Sequence, residues 1–542
     1  AGFNFAFLLS LQDGTMGSHW RRDNGWDTDL LPLQHHSLFG SVPQSGGEQE
    51  RMTNIHDNVT YQTKTNDSKM SHLSCKTYGG PSDELASEMV YWSDIRGDTE
   101  FASPFKEEGE VKYLTFEHDL GGWNNMRMAM ETMVALAHAM GRTLVLLPKT
   151  KIFLQSEGKS YTDFFHLEAL GKEHKGIDVV TMDEFLQQEA VIGNLKDKNG
   201  NPAFPPGNRT NWDGDRHHFA QYLRKVAYTP EWRYENCIAA FPSSSGNSTS
   251  LKANHAAAQK MGAPKGEKWG KEPLAVDAPT VERMREFLLG RSLCIYDEEM
   301  QKAPIVHFMV DSSKKLRYLV HFYAFLFFED WHHDLHLKRL IRDHLRYNDE
   351  LQCAAARVVA AIRERARRRN PNTNPDGLFD TMHIRRGDFI EFYKATAANA
   401  SILYANSEAE LTEGGTLYLS TDEKDMSYFK PFMQHYDVCF LDDFKSLFPA
   451  LSPNYYGMLD QLVASRGEVF FGTVYSTFSS YINRLRGYSS QKEKRWGHDR
   501  GEIRSYYLQP VNNKNMMMQY SPIKEPFWSR EFPAAWRDID KD

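Results

Sequence analysis

The chain is short of several features that would announce a function at once. Only five of its 542 residues are cysteine (Cys75, Cys237, Cys294, Cys353 and Cys439), and no two form a C-x-x-C pair. That spacing argues against a metal–thiolate site and leaves one or two disulfides that the sequence does not assign. No stretch reaches the roughly 20 apolar residues needed to span a bilayer. Residues 3–11 are apolar but lack a basic flank and an initiator Met, and read as the remnant of a signal or anchor, or as a ragged terminus. An excess of positive charge is also missing: 64 Lys and Arg face 72 Asp and Glu, a net charge of −8. This balance disfavours a protein built to coat nucleic acid. The glycine turn at Gly121-Gly122 is neither G-x-G-x-x-G nor G-x-x-x-x-G-K-[ST], which disfavours dinucleotide and P-loop readings.

What is present suits large cores. Apolar residues make up 41% and aromatics 13%, and the length exceeds that at which one core keeps growing, so two domains are expected. Residues 1–108 show no sustained periodicity and are rich in Ser, Thr, Asn, Asp and Gly, the pattern of an irregular stem or leader. A strand is predicted over 111–116, a helix from the Gly121-Gly122 turn to about 140, and an apolar strand over 143–148. Met126, Met130, Met133, Val134 and Ala137 recur on one helical face, so this is a βαβ unit. Residues 193–273, rich in Gly, Pro, Asn and Ser, are expected to form loops. The apolar run 319–328 reads as buried helix. The run Arg363-Glu364-Arg365-Ala366-Arg367-Arg368-Arg369 reads as the solvated end of a helix.

The centre of the chain is His383-Ile384-Arg385-Arg386-Gly387-Asp388-Phe389, which follows a strand-like run from 378. Two arginines at the carboxyl end of a strand would place cationic forks where open α/β sheets bind ligands. Such a fork pairs bidentately with phosphate oxygens. The residues alone are equally compatible with a strand end carrying solvated charges. Further strands are predicted over 416–420, 437–441 and 468–472. The last runs into Thr473-Val474-Tyr475-Ser476-Thr477-Phe478-Ser479-Ser480 and a helix through 486, where hydroxyls and N–H groups make a second anion cradle. The Gly121-Gly122 turn is the first such cradle, with Asn124 and Asn125 able to cap its helix or reach a ligand oxygen.

Two metal-like patterns are weak. His332 and His336 stand at i, i+4 but lack the Glu of H-E-x-x-H. Asp442-Asp443 fits a turn or helix start better than a cation site. Asn-x-Ser/Thr triplets at Asn58, Asn66, Asn208, Asn247 and Asn399 lean toward a secretory route.

Three stretches occur in order: Gly121-Gly122-Trp123-Asn124-Asn125-Met126-Arg127, His383 to Phe389, and Tyr475 to Ser479. Together they resemble the GDP-fucose protein O-fucosyltransferase superfamily over roughly 111–486, interrupted by a variable region near 193–310. The resemblance implies an α/β, GT-B-like fold with two Rossmann-type halves facing a nucleotide-sugar cleft. On that reading 1–108 is the stem, 109–345 the first half, 346–490 the nucleotide-binding half, and 491–542 a tail packed outside. It implies inverting transfer of fucose from GDP-fucose to a protein or glycan hydroxyl, with no metal and no other cofactor. It also implies a secretory location, in the endoplasmic reticulum or Golgi lumen.

By motif position the resemblance makes Arg385 the cation on the β-phosphate. His383 and Asp422 would read guanine or ribose. Ser476, Thr477 and Ser479, with Phe478 between them, would hold phosphate oxygens. Gly121, Gly122, Asn124 and Asn125 would line the pyrophosphate from the first half. Arg386 matches a doubled arginine of related fucosyltransferases, and Asp388 the acidic position after it. Some members carry a Glu as general base immediately before the Gly of the early loop, where this chain has Gly121. Asp119, or Glu117, is the expected substitute. Other relatives use other nucleotide sugars on polysaccharide, or would keep the fold only to bind glycans or proteins.

Overall fold

A computed structural model describes residues 72–541, apart from 120, 152–157, 192, 197–198, 202–215, 247, 262–279, 312, 315, 494–502, 509–514 and 517–529. The expected stem therefore lies outside the described residues up to 71, as do the triplets at Asn58, Asn66, Asn208 and Asn247. The sheets among the described residues belong to one compact unit spanning 67–542.

Strand β1 (Tyr113–Phe116) is buried along its whole length, as expected where both faces of a parallel sheet are covered. It leads to helix α1 (Trp123–Ala139) and β2 (Thr143–Leu146), which pairs parallel to β1. This is the predicted βαβ unit. The Met- and Ala-rich sequence of α1 favours helix, and the helix is buried on nearly every side rather than on one face. A short antiparallel ribbon of β3 (Thr150–Lys151) and β4 (Gly158–Lys159) follows, then α2 (Leu167–Glu173) and β5 (Val179–Thr181).

The stretch expected to be loops instead contributes β6 (Cys237–Phe241), the centre of a second sheet. Five buried residues, Cys-Ile-Ala-Ala-Phe, are too short a run to stand out against polar flanks. Next come β7 (Ser292–Ile295), β8 (Ile305–Phe308) and β9 (Leu326–Phe328). The run read as buried helix makes one helical turn, Phe322–Phe325, and then β9. Periodicity cannot separate the two states where every side chain is buried. The first sheet has order β5-β2-β1-β8 and the second β7-β6-β9, both wholly parallel.

Helices α3 (Trp331–His344) and α4 (Asp349–Arg369) connect to the third sheet. Its strands are β10 (Asp380–Ile384), β11 (Thr416–Thr421), β12 (Asp437–Cys439), β13 (Val469–Thr473), β14 (Arg504–Leu508) and β15 (Asn515–Met516), with order β12-β11-β10-β13-β14-β15. One helical turn, α5 (Phe389–Phe392), follows β10, and α6 (Thr477–Glu493) follows β13.

Three peripheral expectations differ from the fold. Of the presumed stem, residues 72–108 carry fully buried Trp92, and Cys75 is disulfide-bonded to Cys353 of α4. The second bridge, Cys237–Cys294, joins β6 to β7, and Cys439 is free and buried. The tail is not confined to the outside: β14 pairs with β13, and Glu531 and Trp536 are fully buried. The basic end of α4 is paired rather than merely solvated. Arg363 binds Glu88, and Arg365 binds both oxygens of Asp437 at 2.6 and 2.7 Å.

A run of histidines joins α1, α2 and α3. The ring of His138 lies 5.5 Å from that of His174, which lies 5.3 Å from that of His344. His336 stacks on Phe101 at 3.8 Å and pairs with Asp98, while His333 meets the edge of the same Phe101 ring. Burial, and then His174, depress His138 to about 3; burial, and then His344, depress His174 to about 4. Both are neutral in the native state but bind protons below about 6.5 once unfolded. Stability should therefore fall as pH drops from about 6.5 toward 4, each histidine contributing a loss of about 1.4 kcal/mol per pH unit. Urea unfolding at pH 7.5, 6 and 5 measures this, and His138→Leu should flatten the slope by one histidine's share. Equal slopes in the two proteins would remove the histidines as its cause.

Candidate functional site

Strand β10 lies between β11 and β13, and all three are parallel. Their carboxyl ends therefore open on one side, each releasing one of the polar segments singled out in the sequence. Helix α1 brings its amino terminus to the same place: Thr477 Oγ1, at the start of α6, donates to Asn125 Oδ1 at 3.0 Å. Two helix amino termini, with their unpaired N–H groups, thus meet beside the arginine turn.

The turn is held from below. Arg385 N donates to Thr473 Oγ1 at 2.8 Å, and that hydroxyl donates to His383 O at 2.9 Å. The Arg385 guanidinium is 26% exposed, and lies between Asp388 Oδ1 (2.8 Å from Nη2) and Asp422 Oδ2 (3.1 Å from Nε). It is the more exposed of the two arginines. Arg386 has a different set of partners: Nε donates to Glu423 at 2.7 Å, Nη1 to Ala398 O, and the guanidinium lies 3.9 Å over the Tyr428 ring. Asp422 also accepts from Arg386 N at 2.6 Å. Its carboxylate packs where a side chain at position 387 would project: a Cβ on Gly387 would lie 2.7 Å from Asp422 Oδ2. The turn closes only because that position is glycine.

Several expected ligand contacts are turned inward. His383 is buried, its Nδ1 lies 2.7 Å from Ser479 Oγ, and its ring stacks on Phe478 at 4.3 Å. Burial, and then Arg385, lower its pKa to about 3, so the imidazole is neutral. Ser476 and Ser479 are buried; Thr477 and Phe478 are half-buried. Asn124 Oδ1 accepts from Gln461 Nε2 at 2.8 Å, and Gln461 Oε1 accepts from Tyr347 OH at 2.8 Å. These contacts tie α1 to the third sheet's side of the opening.

The two candidate bases are both occupied. Asp119 accepts from Arg317 Nε at 2.9 Å, Arg317 Nη2 at 2.7 Å and Gly121 N at 2.8 Å, and its side chain is fully buried. A Cβ on Gly121 would lie 2.5 Å from Asn125 Nδ2 and 2.9 Å from Asp119 Oδ1, so the turn is closed around that glycine. Glu117 accepts from Arg224 Nε and Nη2 at 2.8 and 2.7 Å and lies 3.1 Å from His307 Nε2. Burial raises its pKa, but the bonds to His307 and Arg224 outweigh this and leave it at about 2.

Thr473 belongs to the hydroxyl stretch expected from the sequence, whereas Glu423, Gln461 and Arg317 have no role in that reading. Glu423 adjoins a predicted strand end, a position that could have flagged it. Arg317 lies 198 residues from Asp119 and belongs to no motif. The metal-like patterns do not assemble: His332 Nδ1 faces Asp330 and His336 Nδ1 faces Asp98. Asp443 caps the turn at Phe440 N, and Asp442 pairs with Lys445. Among the described residues no group of three His, Cys, Asp or Glu is arranged to hold a metal ion.

A family described as GDP-fucose protein O-fucosyltransferase matches residues 113–489. Among solved structures, POFUT1 in complex with GDP is similar at 15% identity, over 74% of this chain and 99% of that one, with a TM-score of 0.34. A mutant of Arabidopsis thaliana FUT1 in complex with GDP is 12% identical over 77% and 74% of the two chains, TM-score 0.35. Fucosyltransferase NodZ from Bradyrhizobium is 10% identical over 69% and 94%, TM-score 0.32. Among curated proteins none matches.

Proposed function

The chain belongs to the GDP-fucose protein O-fucosyltransferase family, and from that premise we propose that it transfers fucose from GDP-fucose to an acceptor hydroxyl with inversion and without a metal ion. The observation that carries this reading is Arg385: a half-buried guanidinium held between two carboxylates at the carboxyl end of β10, beside β13, whose following helix α6 meets the amino terminus of α1. The bond from the anomeric carbon to the β-phosphate oxygen breaks, and charge grows on the leaving GDP. A preorganised fork and N–H groups there stabilise that charge more than they stabilise the bound substrate. On this reading the cleft lies between a first half, 109–345, and a second, 346–490.

We assign the remaining residues by what they touch. Gly122 has open space on its Cβ side and would let backbone approach the pyrophosphate. Thr477 and the first N–H groups of α6 would face it from the other side. His383, Ser479, Thr473 and Asp422 position the arginine turn, and Arg386 anchors it. A carboxylate with a pKa of about 2 is a poor proton acceptor, and Asp119 has its oxygens committed to three donors. The acceptor proton therefore leaves to water in this scheme. Two disulfides suit a lumenal location in the secretory pathway.

Incubating the protein with GDP-fucose and other nucleotide sugars, with and without a chelator, tests the donor and the metal together. GDP-fucose should be hydrolysed equally in both conditions, and GDP should outcompete UDP. Activity abolished by the chelator would overturn the metal-free scheme, and equal competition by UDP would overturn the donor. The role of Asp119 is separable. As a clamp on the glycine turn, Asp119→Asn should weaken GDP binding and transfer together, by about tenfold or more, as expected for a lost charge-assisted bond. Calorimetry beside a transfer assay decides: unchanged GDP affinity with collapsed transfer would restore Asp119 as a base.

A further inference from the structure

Next to Arg385 stands a set of aromatic rings that the donor scheme does not use. The Arg385 guanidinium lies 5.8 Å from the centre of the Phe389 ring. Phe389 lies 4.7 Å from Tyr393, and Tyr393 stacks on Tyr475 at 5.1 Å with 20° between planes. Phe392, three residues after Phe389 on the single turn α5, is 71% exposed. Tyr475 adopts a φ of 65°, a left-handed conformation that a bulky residue rarely takes and that concentrates at ligand sites. Two exposed carboxylates, Asp388 and Glu391, lie on the same segment.

We propose that α5 and its neighbours form an acceptor subsite for a pyranose chain, with Phe392 and Tyr393 as the stacking platform. The inference rests on the fucosyl-transfer reading and adds the class of acceptor. A pyranose ring has an apolar C–H face and a rim of hydroxyls. Flat aromatic faces match the first, and carboxylates accept hydrogen bonds from the second. The location fits the reaction. The acceptor oxygen must reach an anomeric carbon bonded to the phosphate that Arg385 holds, and the platform begins one ring away from that guanidinium. The paired Tyr393 and Tyr475 rings brace each other, so little ordering is required on binding.

The test uses the full chain saturated with GDP. It is titrated with hexasaccharides of β-1,4-linked glucose, galactose and xylose, and separately with an unstructured peptide rich in Ser and Thr. At least one hexasaccharide should bind saturably, and Phe392→Ala and Tyr393→Leu should each weaken it at least tenfold. GDP affinity and hydrolysis of GDP-fucose by water should not change in either variant. Phe392 is exposed enough that its removal cannot unfold the chain, which keeps the comparison valid if Tyr393→Leu misfolds. Binding of the peptide alone, or of no hexasaccharide by a protein that binds GDP, would overturn the subsite. Loss of GDP affinity in the variants would overturn it too, by giving the rings to the nucleotide base. A wild-type protein that binds a hexasaccharide but neither binds GDP nor hydrolyses GDP-fucose would support the platform and overturn the donor reading instead.

Discussion

Arg385→Ala should lower turnover about 10²–10³-fold, the cost of removing one preorganised donor to developing charge. The fold should survive, because the guanidinium is partly exposed and its backbone N–H to Thr473 is retained. Arg385→Lys should recover little. A single ammonium cannot span Asp388 and Asp422 while presenting a planar fork to a phosphate. Arg386→Ala should behave oppositely. It uncovers Tyr428 and leaves Glu423 Oε2 without its cation, though Oε1 keeps the N–H groups of Lys424 and Asp425, so its main effect is on stability, with turnover falling less. Single-turnover transfer, GDP affinity and thermal unfolding on all three variants separate these effects. A folded Arg385→Ala protein with near-normal turnover would overturn the mechanism, and an Arg386→Ala protein as inactive as Arg385→Ala would mean that both arginines act on the phosphate.

The largest stability effect is expected beside the first turns of the helices whose starts meet at the opening, at Glu531→Ala. Glu531 is fully buried in a cluster with Arg127 and Glu131 of α1 and Arg484 of α6. Arg484 donates to Glu131 and, at 2.8 Å, to Glu531, whose other oxygen accepts from Tyr323 OH at 2.7 Å. Arg127 also pairs with Glu131 and lies 3.7 Å over the Tyr481 ring. Two arginines balance two glutamates, so removing one carboxylate leaves an uncompensated buried cation. Such losses cost about 3–5 kcal/mol. Chemical unfolding of Glu531→Ala and of Arg484→Met/Glu531→Leu distinguishes the pair's net worth from the penalty of breaking it. The double variant should be much closer to wild type than the single. If Glu531→Ala loses less than about 1 kcal/mol, the size of an exposed ion pair, the cluster is not closed to water.

The framework of the site was legible because strands covered on both faces are largely apolar runs, and β1, β2 and β13 read that way. Strand β10, by contrast, carries buried Asp380, Thr381 and His383 and was placed by the apolar residues just before it and the polar turn after it. The segments released at their carboxyl ends were legible for the same reason: polar, glycine- and hydroxyl-rich residues follow each run. The direction of each side chain was not. His383 and Ser479 look like ligand contacts in the sequence, but they face each other through 2.7 Å because strand pairing and the start of α6 turn both inward. Arg385 and Arg386 are identical neighbours, and only the distant Glu423 and Tyr428 decide which one is free to face a ligand. Asp119 resembled a base because its partner Arg317 is far along the chain. The packed residues before β1 and the tail were hidden differently. Short buried runs, Met89–Trp92 and Phe532–Trp536, dock onto a core supplied by other segments and are too brief to show a periodicity of their own.

The position of Glu531 also governs when the molecule can be finished. Roughly 400 residues separate it from Arg127, and a ribosome adds about 5–20 residues per second. For most of that time only Arg127 and Glu131 exist, and they balance; Arg484 precedes Glu531 by 47 residues, so for about 2–9 s the nascent chain has two cations and one anion at its prospective centre. That centre favours hydration over burial until the last carboxylate arrives. The same late segment fastens both sides: Arg342 of α3 pairs with Asp540 at 2.6 Å, and Asn483 of α6 donates to Glu531 O at 3.2 Å. The join between α1, α3 and α6 therefore closes only after residues 531 and 540 have been made, and a chain stalled before residue 531 would present that seam, open and charged, to whatever chaperone attends it.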